Sequence, residues 1–304
     1  MRRLVIYCDG GFGNRVNALV SGLVMARLLQ FEPLVVWPVN NWCGAAFGDL
    51  FEDRPPVVER ELVSFMPERG RYQYLIVEDR LGLAEAWVSP LTLAGLPALQ
   101  AELARTPHDV FYYTALIPPC LPPAEIASQV RALHIRRDIL ARAEGFLRTH
   151  RLGRRTGDFV GVQIRKTDFG SAGANDAQLF DLVRQAPQQR FFVCSDDKDV
   201  EQRFAALPNV VVFDKRAHVA KRVDGGWNAL NTDHSGRAYA FNVERSGASV
   251  EDALVDLLIL SRAQIVKTSN STFLNTALLL QQTGATAGLA ADPAAAGQPL
   301  AEPA

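Results

Sequence analysis

Three charged residues follow a short apolar stretch in the middle of the chain, and their types favour binding of a phosphate. The stretch Phe159–Phe169, FVGVQIRKTDF, starts with apolar residues and ends with Arg165, Lys166 and Asp168. This pattern predicts a buried strand that brings charge to the carboxyl edge of a sheet, where ligands bind in open α/β sheets. Arginine can hold a phosphate through two parallel hydrogen bonds. A surface turn in which Arg165 pairs with Asp168 is the alternative.

A glycine-rich turn near the N-terminus offers a second place for an anion. The segment Asp9–Arg15, DGGFGNR, lies between an apolar run and a helical pattern. Glycine lets a ligand approach the backbone, and a helix N-terminus presents N–H groups. We therefore expect the glycines of this turn to let a ligand approach, with Asn14 serving as N-cap of the helix. A tight turn that binds nothing is the alternative.

Two further polar stretches follow apolar runs. Asp196 and Asp197 come directly after one run, and paired carboxylates can bind a metal, act in acid–base chemistry or accept the N–H groups of a guanine edge. The stretch 268–273, TSNSTF, brings hydroxyls to a predicted helix start and suits a phosphate. Each has a structural alternative as a helix cap. Taken together, the four stretches suit a nucleoside diphosphate.

The elements that carry these stretches predict two α/β halves. Apolar strand patterns alternate with helical spacing in both, which is typical of doubly wound sheets. The basic, glycine-containing segment 150–158 is the predicted boundary, so we expect domains at 1–150 and 151–285, with a disordered tail at 286–304. The predicted strands are 3–8, 34–37, 72–78, 110–113, 159–164, 191–194, 210–213 and 264–267, and the predicted helices include 16–30, 136–148, 176–185 and 200–206.

Composition narrows the class of protein. The net charge of -1 over 304 residues gives no reason to expect a nucleic acid partner. No stretch reaches the roughly 20 apolar residues of a membrane span, and the run Leu4–Cys8 is too short for a signal peptide. The four cysteines are far apart and lack metal-ligand spacing. We therefore expect a reduced, cytoplasmic protein.

The four stretches, in this order, resemble the motifs of the fucosyltransferase-like glycosyltransferases, which include the α1,2-, α1,6- and protein O-fucosyltransferases. GGFGNRVNALVSGLVMARLL resembles the opening of that superfamily, and QIRKTD at 163–168 is similar to its first motif, usually His-x-Arg-Arg-x-Asp. VCSDD at 193–197 and TSNSTF at 268–273 resemble its second and third motifs. The resemblance covers about residues 4–282.

The resemblance implies a GT-B fold, in which two Rossmann-like domains face each other across a cleft, with the acceptor on the N-terminal side and the nucleotide sugar on the C-terminal side. It implies inverting transfer of fucose from GDP-fucose to a hydroxyl of a glycan, with no metal and no other cofactor. Arg165 would be the catalytic residue that grips the diphosphate, supported by Asp168, and Asp196 or Asp197 would read guanine. The expected donor-binding residues are Gly11, Gly13, Asn14, Arg15, Gln163, Arg165, Lys166, Asp168, Asp196, Asp197, Ser271, Thr272 and Phe273.

Two departures from the first motif leave the donor sugar open. Gln163 replaces the usual histidine, and Lys166 replaces the second arginine. A GT-B relative with another nucleotide sugar, either a different transferase or a sugar-nucleotide epimerase, and a non-catalytic nucleotide-sugar binding protein are the alternatives. Asp9 is a candidate general base by its predicted place at the cleft. A lipid-linked acceptor would bring the protein into peripheral contact with a membrane.

Overall fold

The described part of the chain contains both predicted halves. The computed structural model describes residues 2–52, 55–59, 72–76, 91–104, 107–153, 157–167, 176–232, 238–239 and 241–289. Asp168, one of the predicted donor-binding residues, lies outside the described residues, as does the tail from residue 290 onward. No helix in these ranges is both long and apolar enough to cross a membrane.

The first sheet has five parallel strands, and the first strand of the chain lies at its centre. The strands follow in the spatial order β3-β2-β1-β5-β4, and β1 pairs with both β2 and β5. Because Tyr7, the last residue of β1, lies beside Val36 and Tyr113, three strands end at one edge. The glycine-rich turn therefore leaves the sheet at its carboxyl edge. The strands are β1 Arg3–Tyr7, β2 Glu32–Val36, β3 Val57–Val58, β4 Tyr72–Ile76 and β5 Asp109–Tyr113.

The helix that follows the glycine-rich turn, α1, is buried on nearly all sides. It spans Phe12–Leu28 and starts four residues earlier than the sequence predicts. Its N-cap is Gly11 in an extended conformation, without a side-chain hydrogen bond. The prediction that Asn14 caps this helix is wrong, because Asn14 lies inside the first turn. The other helices of this half are α2 Phe47–Leu50, α3 Leu91–Leu103, α4 Pro123–Arg131 and α5 Arg137–Thr149.

The second sheet has four parallel strands in the order β11-β6-β7-β8, and its central strands come from the apolar runs that the sequence predicts. Strand β6 is Val160–Ile164 and β7 is Phe191–Ser195, and every residue of both is buried. The outer strands are β8 Val210–Val211 and β11 Gln264–Val266, and a separate antiparallel pair joins β9 Asn231–Thr232 to β10 Ala238–Tyr239. The helices are α6 Asp176–Gln185, α7 Lys198–Ala205, α8 Gly247–Leu260 and α9 Thr272–Gln282.

Helices from the two halves pack against each other. Helix α1 contacts α9, and α5 contacts α8, so one apolar core runs from the first sheet to the second. Phe146 of α5 contacts Phe192 of β7 with ring centroids 5.5 Å apart. Asp252 of α8, which is fully buried, pairs with Arg142 of α5 and with Arg216. Nothing in this packing locates a boundary at residue 150, which stays a prediction.

The C-terminal segment departs from the expectation of disorder after residue 285. Thr286 and Leu289 are buried, and the Ser261 hydroxyl donates a hydrogen bond of 2.9 Å to the Thr286 hydroxyl. The Arg262 guanidinium donates to the Thr286 carbonyl at 3.2 Å. The prediction of a disordered tail is therefore wrong for residues 286–289, because polar side chains at the end of α8 hold this turn in place.

Candidate functional site

A cleft of about 740 Å³ lies where the carboxyl ends of both sheets meet. The turn after β1 lines it from the first half, and the ends of β6 and β7 line it from the second. The segment 269–273 before α9 and one face of α8 complete its wall. Of the predicted donor-binding residues, the cleft is lined by Gly11, Gly13, Asn14, Gln163, Arg165, Asp196, Ser271, Thr272 and Phe273.

Two helix N-termini meet in this cleft, and glycine permits their close approach. A Cβ atom added at Gly13, near the start of α1, would lie 2.7 Å from the backbone carbon and oxygen of Thr272 at the start of α9. Any other residue at this position would force the two helices apart. The first N–H groups of a helix have no intrahelical partner and carry partial positive charge. The cleft therefore has two adjacent helix ends that favour an anion.

Arg165 is the cation that strand β6 brings to the cleft. It is half-buried and directly follows the strand. Two residues earlier, the Gln163 side-chain oxygen accepts a hydrogen bond of 3.2 Å from the Ser271 hydroxyl, and the Gln163 carbonyl accepts one of 2.6 Å from the Thr268 hydroxyl. These bonds tie the end of β6 to the loop before α9. Arg165 is therefore held beside the N-terminus of α9.

Lys166 does not line the cleft, although the sequence predicts it as a donor-binding residue. Its side chain is exposed, and its ammonium lies 3.1 Å from the Asp176 carboxylate at the start of α6. The Lys166 side chain thus points away from the cleft that Arg165 lines, and its contact with a donor stays a prediction.

Arg15 is also placed away from the cleft. Its guanidinium is buried and donates to the Gly10 carbonyl at 2.7 Å, the Pro38 carbonyl at 2.7 Å and the Asn40 side-chain oxygen at 3.0 Å. These bonds use the guanidinium inside the protein, so Arg15 does not line the cleft, and its contact with a ligand stays a prediction. Arg15 instead connects the glycine-rich turn to the segment after β2.

The neighbouring aspartates at the end of β7 have different partners. Asp197 caps α7 by accepting from the N–H groups of Asp199 at 2.8 Å and Val200 at 3.2 Å, and it does not line the cleft. Asp196 does line it, and its carboxylate accepts from the Lys166 N–H at 2.7 Å and from the Thr167 hydroxyl at 2.6 Å. Asp196 thus holds the backbone that follows Arg165. Asp197 is a helix cap, which is the alternative that the sequence leaves open for this stretch.

A buried charge cluster at the cleft wall was not predicted from the sequence. The Lys215 ammonium lies 2.7 Å from Asp256 Oδ2 and 2.6 Å from the Ser195 carbonyl, and it also pairs with Glu201 Oε1. His218 Nε2 lies 2.8 Å from Glu201 Oε2. Lys215, His218 and Asp256 line the cleft. One signal was available, because Asp256 interrupts the apolar pattern of ALVDLLIL.

Asp256 lines the cleft and has a buried carboxylate oxygen, Oδ1, without a hydrogen-bond partner among the described residues. Burial raises the pKa of this carboxyl to about 7, because the nearby Lys215 ammonium offsets only part of the desolvation and Glu201 adds repulsion. A buried acceptor without a partner is costly in a folded protein. It is therefore a candidate contact for an N–H group of a ligand.

Aromatic side chains from both halves line the opposite part of the cleft. Trp42, which precedes α2, meets Phe241 edge to face at 5.9 Å between ring centroids. The Arg245 guanidinium lies 5.7 Å from the Trp42 ring. Trp42, Phe241 and Arg245 all line the cleft with Tyr113. No sequence motif indicated Trp42, Phe241 or Arg245, because the segments that carry them have no regular periodicity.

The cysteines and acidic residues of the described ranges do not form a metal-ligand cluster. No three His, Cys, Asp or Glu side chains within those ranges come together in a geometry that could hold a metal ion. All four cysteines are free thiols, and burial raises the pKa of Cys8 and Cys194. Their thiolate forms are therefore disfavoured at neutral pH.

Comparison with known proteins finds similarity at the level of structure. No protein-family model matches the chain, and no curated protein sequence matches it. NodZ, an α-1,6-fucosyltransferase from Bradyrhizobium, co-crystallised with GDP, is 18% identical with a TM-score of 0.55, and the match covers 92% of each chain. NodZ crystals soaked with GDP-fucose give the same identity and TM-score. A mutant of Arabidopsis thaliana FUT1 in complex with GDP is 12% identical with a TM-score of 0.53, over 92% of this chain and 68% of that one.

Each of these matches covers 92% of this chain, whose parallel sheets are those expected of a GT-B fold. The chain therefore shares a two-domain, Rossmann-like GT-B fold with these solved structures.

Proposed function

We propose that this protein is an inverting glycosyltransferase that transfers fucose from GDP-fucose to a hydroxyl group of a glycan. The observation that carries the proposal is the convergence of Arg165 with the N-termini of α1 and α9 in one cleft. Such a set of positive groups suits a diphosphate. The similarity in fold to NodZ, whose crystals were soaked with GDP-fucose, supports this donor.

The diphosphate end of the donor is assigned to Arg165 and the start of α9. As the bond between the sugar and the diphosphate breaks, negative charge develops on the leaving group. The guanidinium of Arg165 and the N–H groups after Ser271 would stabilise that charge. Removal of one such donor typically slows the chemical step by about 10² to 10³. Arg165 is thus the proposed catalytic residue.

The base end of the donor is assigned to Asp256 rather than to Asp196 or Asp197. Guanine has two neighbouring N–H donors, at N1 and N2, on its Watson–Crick edge. Uracil and adenine do not offer two neighbouring donor groups on that edge. Asp256 lines the cleft, its Oδ1 is a buried acceptor without a partner among the described residues, and an N–H of the guanine edge would satisfy it. Asp196 remains at the cleft in a supporting position, because its carboxylate is occupied by Lys166 and Thr167.

The proposed reaction is a single displacement. The acceptor oxygen forms a bond to the anomeric carbon, the bond from that carbon to the phosphate oxygen breaks, and the electron pair leaves with GDP. The acceptor hydroxyl loses its proton in the same step. Asp9 lines the cleft after β1 and is the candidate to receive it. Attack opposite to the leaving group inverts the configuration of the sugar.

We also propose that the reaction needs no metal ion and that the protein acts in the cytoplasm. Arg165 and the helix ends supply positive charge at the diphosphate, so the reaction needs no cation for that purpose. The glycan acceptor, placed at the aromatic side chains of the N-terminal half, would be a cytoplasmic precursor. If that precursor is lipid-linked, the protein contacts a membrane surface through its substrate.

A donor panel tests this proposal. The purified protein is incubated in EDTA with GDP-fucose, GDP-mannose, UDP-glucose and ADP-glucose, and with mixed glycan acceptors, and released nucleotide and new glycosides are quantified. We expect product only with GDP-fucose. Product with another donor would assign a different transferase, conversion of the donor's own sugar would assign an epimerase, and binding without turnover would assign a non-catalytic binding protein.

A further inference from the structure

The ammonium group of Lys215 has no donor left for a ligand, although the residue lines the cleft. Its side chain is only 5% exposed. Its Nζ atom donates to the Ser195 carbonyl at 2.6 Å, to Asp256 Oδ2 at 2.7 Å and to Glu201 Oε1. An ammonium has three N–H donors, and these three acceptors use all of them. Lys215 therefore acts on a ligand only through its neighbours.

The neighbour that faces the cleft is Asp256. Its Oδ2 atom is held by Lys215, which fixes the rotation of the carboxylate, and its Oδ1 atom is buried without a hydrogen-bond partner among the described residues. Glu201 is held from three sides, by Lys215, by the Ser195 N–H at 2.7 Å and by His218 at 2.8 Å. Glu201 does not line the cleft.

We propose that Lys215 is a positioning residue for nucleobase selectivity, which holds Asp256 so that Oδ1 accepts an N–H of the base, and that Glu201 acts through Lys215 to set the pH at which this contact forms. The inference rests on the proposed function, because it assumes that a nucleotide occupies the cleft. It adds two residues, Lys215 and Glu201, that no sequence motif or ligand contact identifies.

The charged groups around Asp256 give the direction of the pH dependence. Burial raises the pKa of the Asp256 carboxyl to about 7, the Lys215 ammonium lowers it, and Glu201 and Asp252 raise it again. Cys194 and Asp196 lie on or after β7 nearby, and His218 acts through its bond to Glu201. Below this pKa the carboxyl carries a proton and is a weaker acceptor. Preference for a base with N–H donors should therefore increase as the pH rises through about 7.

The test compares GDP with ADP by calorimetry between about pH 5.5 and 8.5, a range that brackets this titration. Both ligands carry the same diphosphate, so the ratio of their affinities cancels the titration of the phosphate and isolates the base. In the wild-type protein we expect the GDP:ADP ratio to rise about tenfold or more across this range, the size of one charged hydrogen bond. Asp256→Asn should leave the ratio low and independent of pH.

Two variants that do not touch the nucleotide should shift the midpoint of this profile in opposite directions. Lys215→Met removes the charge that favours the carboxylate, so the midpoint moves to higher pH and the ratio falls. Glu201→Gln removes the repulsion, so the midpoint moves to lower pH. Glu125→Gln, which removes an exposed carboxylate on α4, is the matched control and should leave the profile unchanged. A purely structural role for the cluster would not produce opposite shifts.

A flat ratio in the wild-type protein, or shifts of the same sign in both variants, would overturn the inference. If Lys215→Met does not fold, Glu201→Gln and Asp256→Asn still decide the question, because both replacements keep the shape of the side chain. The proposed function fails separately, if neither nucleotide binds or if Arg165→Ala leaves the affinity for both unchanged. A flat ratio combined with Arg165-dependent binding overturns only the role of Lys215.

Discussion

Asp196 and Asp197 are adjacent in the chain, yet each stabilises a different part of the molecule. The Asp196 carboxylate accepts hydrogen bonds from Lys166 and Thr167, so it supports the backbone that carries Arg165. The Asp197 carboxylate accepts from the first N–H groups of α7 and has no place in the cleft. The different roles of these two aspartates can therefore be distinguished by replacing each one separately.

Replacing each aspartate by alanine should give contrasting effects. Asp196→Ala should raise the donor KM about tenfold, the cost of losing charged hydrogen bonds that place Arg165. Asp197→Ala should lower the free energy of unfolding by about 0.5–2 kcal/mol, the usual cost of losing an N-cap, with the donor KM unchanged. Steady-state kinetics and urea denaturation measure the two quantities. A larger change in KM for Asp197→Ala than for Asp196→Ala would contradict this division.

For Arg165 and Lys166 the sequence pattern predicts the charge but not the side to which each side chain points. The sequence places both cations after an apolar strand, and that strand exists as β6. Only Arg165 faces the cleft, because Lys166 pairs with Asp176 of α6. The sequence does not show which of two neighbouring cations faces a ligand, because this depends on where the next helix packs. Lys166, at the position of the motif's second arginine, therefore does not line this cleft.

At the scale of elements, α1 connects the first sheet to the cleft. Its residues from Phe12 to Ala26 are nearly all buried, because β1 covers one side and α9 covers another. Gly22 packs against Ile6 of β1, and Gly13 packs against the backbone of Thr272. A helix in such a position carries apolar residues on every side. The start of α1 is thereby fixed against the start of α9.

Gly13→Ala should disturb this junction. The added methyl group would lie 2.7 Å from the backbone of Thr272, which cannot move aside as a flexible side chain can. We expect the free energy of unfolding to fall by about 1–3 kcal/mol, as for other overpacked sites, and GDP affinity to fall with it. Urea denaturation and calorimetry measure both.

Gly11→Ala is the matched control for this junction. Gly11 has a φ of -70°, and a Cβ atom there would have no neighbour within 4 Å. The loss of stability should stay below about 1 kcal/mol, since only the preference at the N-cap changes. Equal losses in the two variants would show that the approach of α1 to α9 does not depend on Gly13.

Most of the regular elements could be predicted because their signals are local. The apolar run before Arg165 became β6, and the spacing of residues 176–185 became α6 with the same bounds. Helices α3 and α4 were not predicted. Helix α3 contains Pro97 and a non-helical Gly95, and α4 begins among prolines at Pro123, so both carry residues typical of breaks. The N-cap of α1 was missed because tertiary packing extends this helix into the glycine-rich turn.

At the scale of the molecule, the two halves are joined by apolar and charged contacts. Asp252 of α8 lies between Arg142 of α5 and Arg216, and its carboxylate is fully buried. Burial alone would raise the pKa of the Asp252 carboxyl. Hydrogen bonds from both arginines outweigh this effect, so the pKa lies below its usual value. The carboxylate therefore stays charged at neutral pH and keeps both arginines in place, which fixes one side of the cleft relative to the other.

Site residues could be predicted only where a single motif contains both a recognisable strand and the polar residues that bind a ligand. Gln163 lies in a strand that is visible in the sequence, Arg165 and Ser271 follow such strands, and all three line the cleft. Glu201 lies in α7, Lys215 in the loop after β8 and Asp256 in α8, and their proximity follows from the order of the second sheet and the position of α8. Trp42 and Arg245 meet because the segment before α2 pairs with the segment before α8 at Gly44 and Ser246. Contacts of this kind depend on the fold as a whole.

The most direct test of the central claim is metal-free calorimetry of the whole chain with GDP, UDP and ADP in EDTA. The account predicts selective binding of GDP, lost by about 10²-fold or more in Arg165→Ala, because a charged group that grips the diphosphate is removed. Arg184→Ala is the control, since that arginine is exposed and pairs only with Asp181 on its own helix among the contacts described, and its affinity should equal that of the wild-type protein. Tighter binding of UDP, a requirement for a divalent metal, or full affinity in Arg165→Ala would contradict the assignment of this cleft to a guanosine diphosphate sugar.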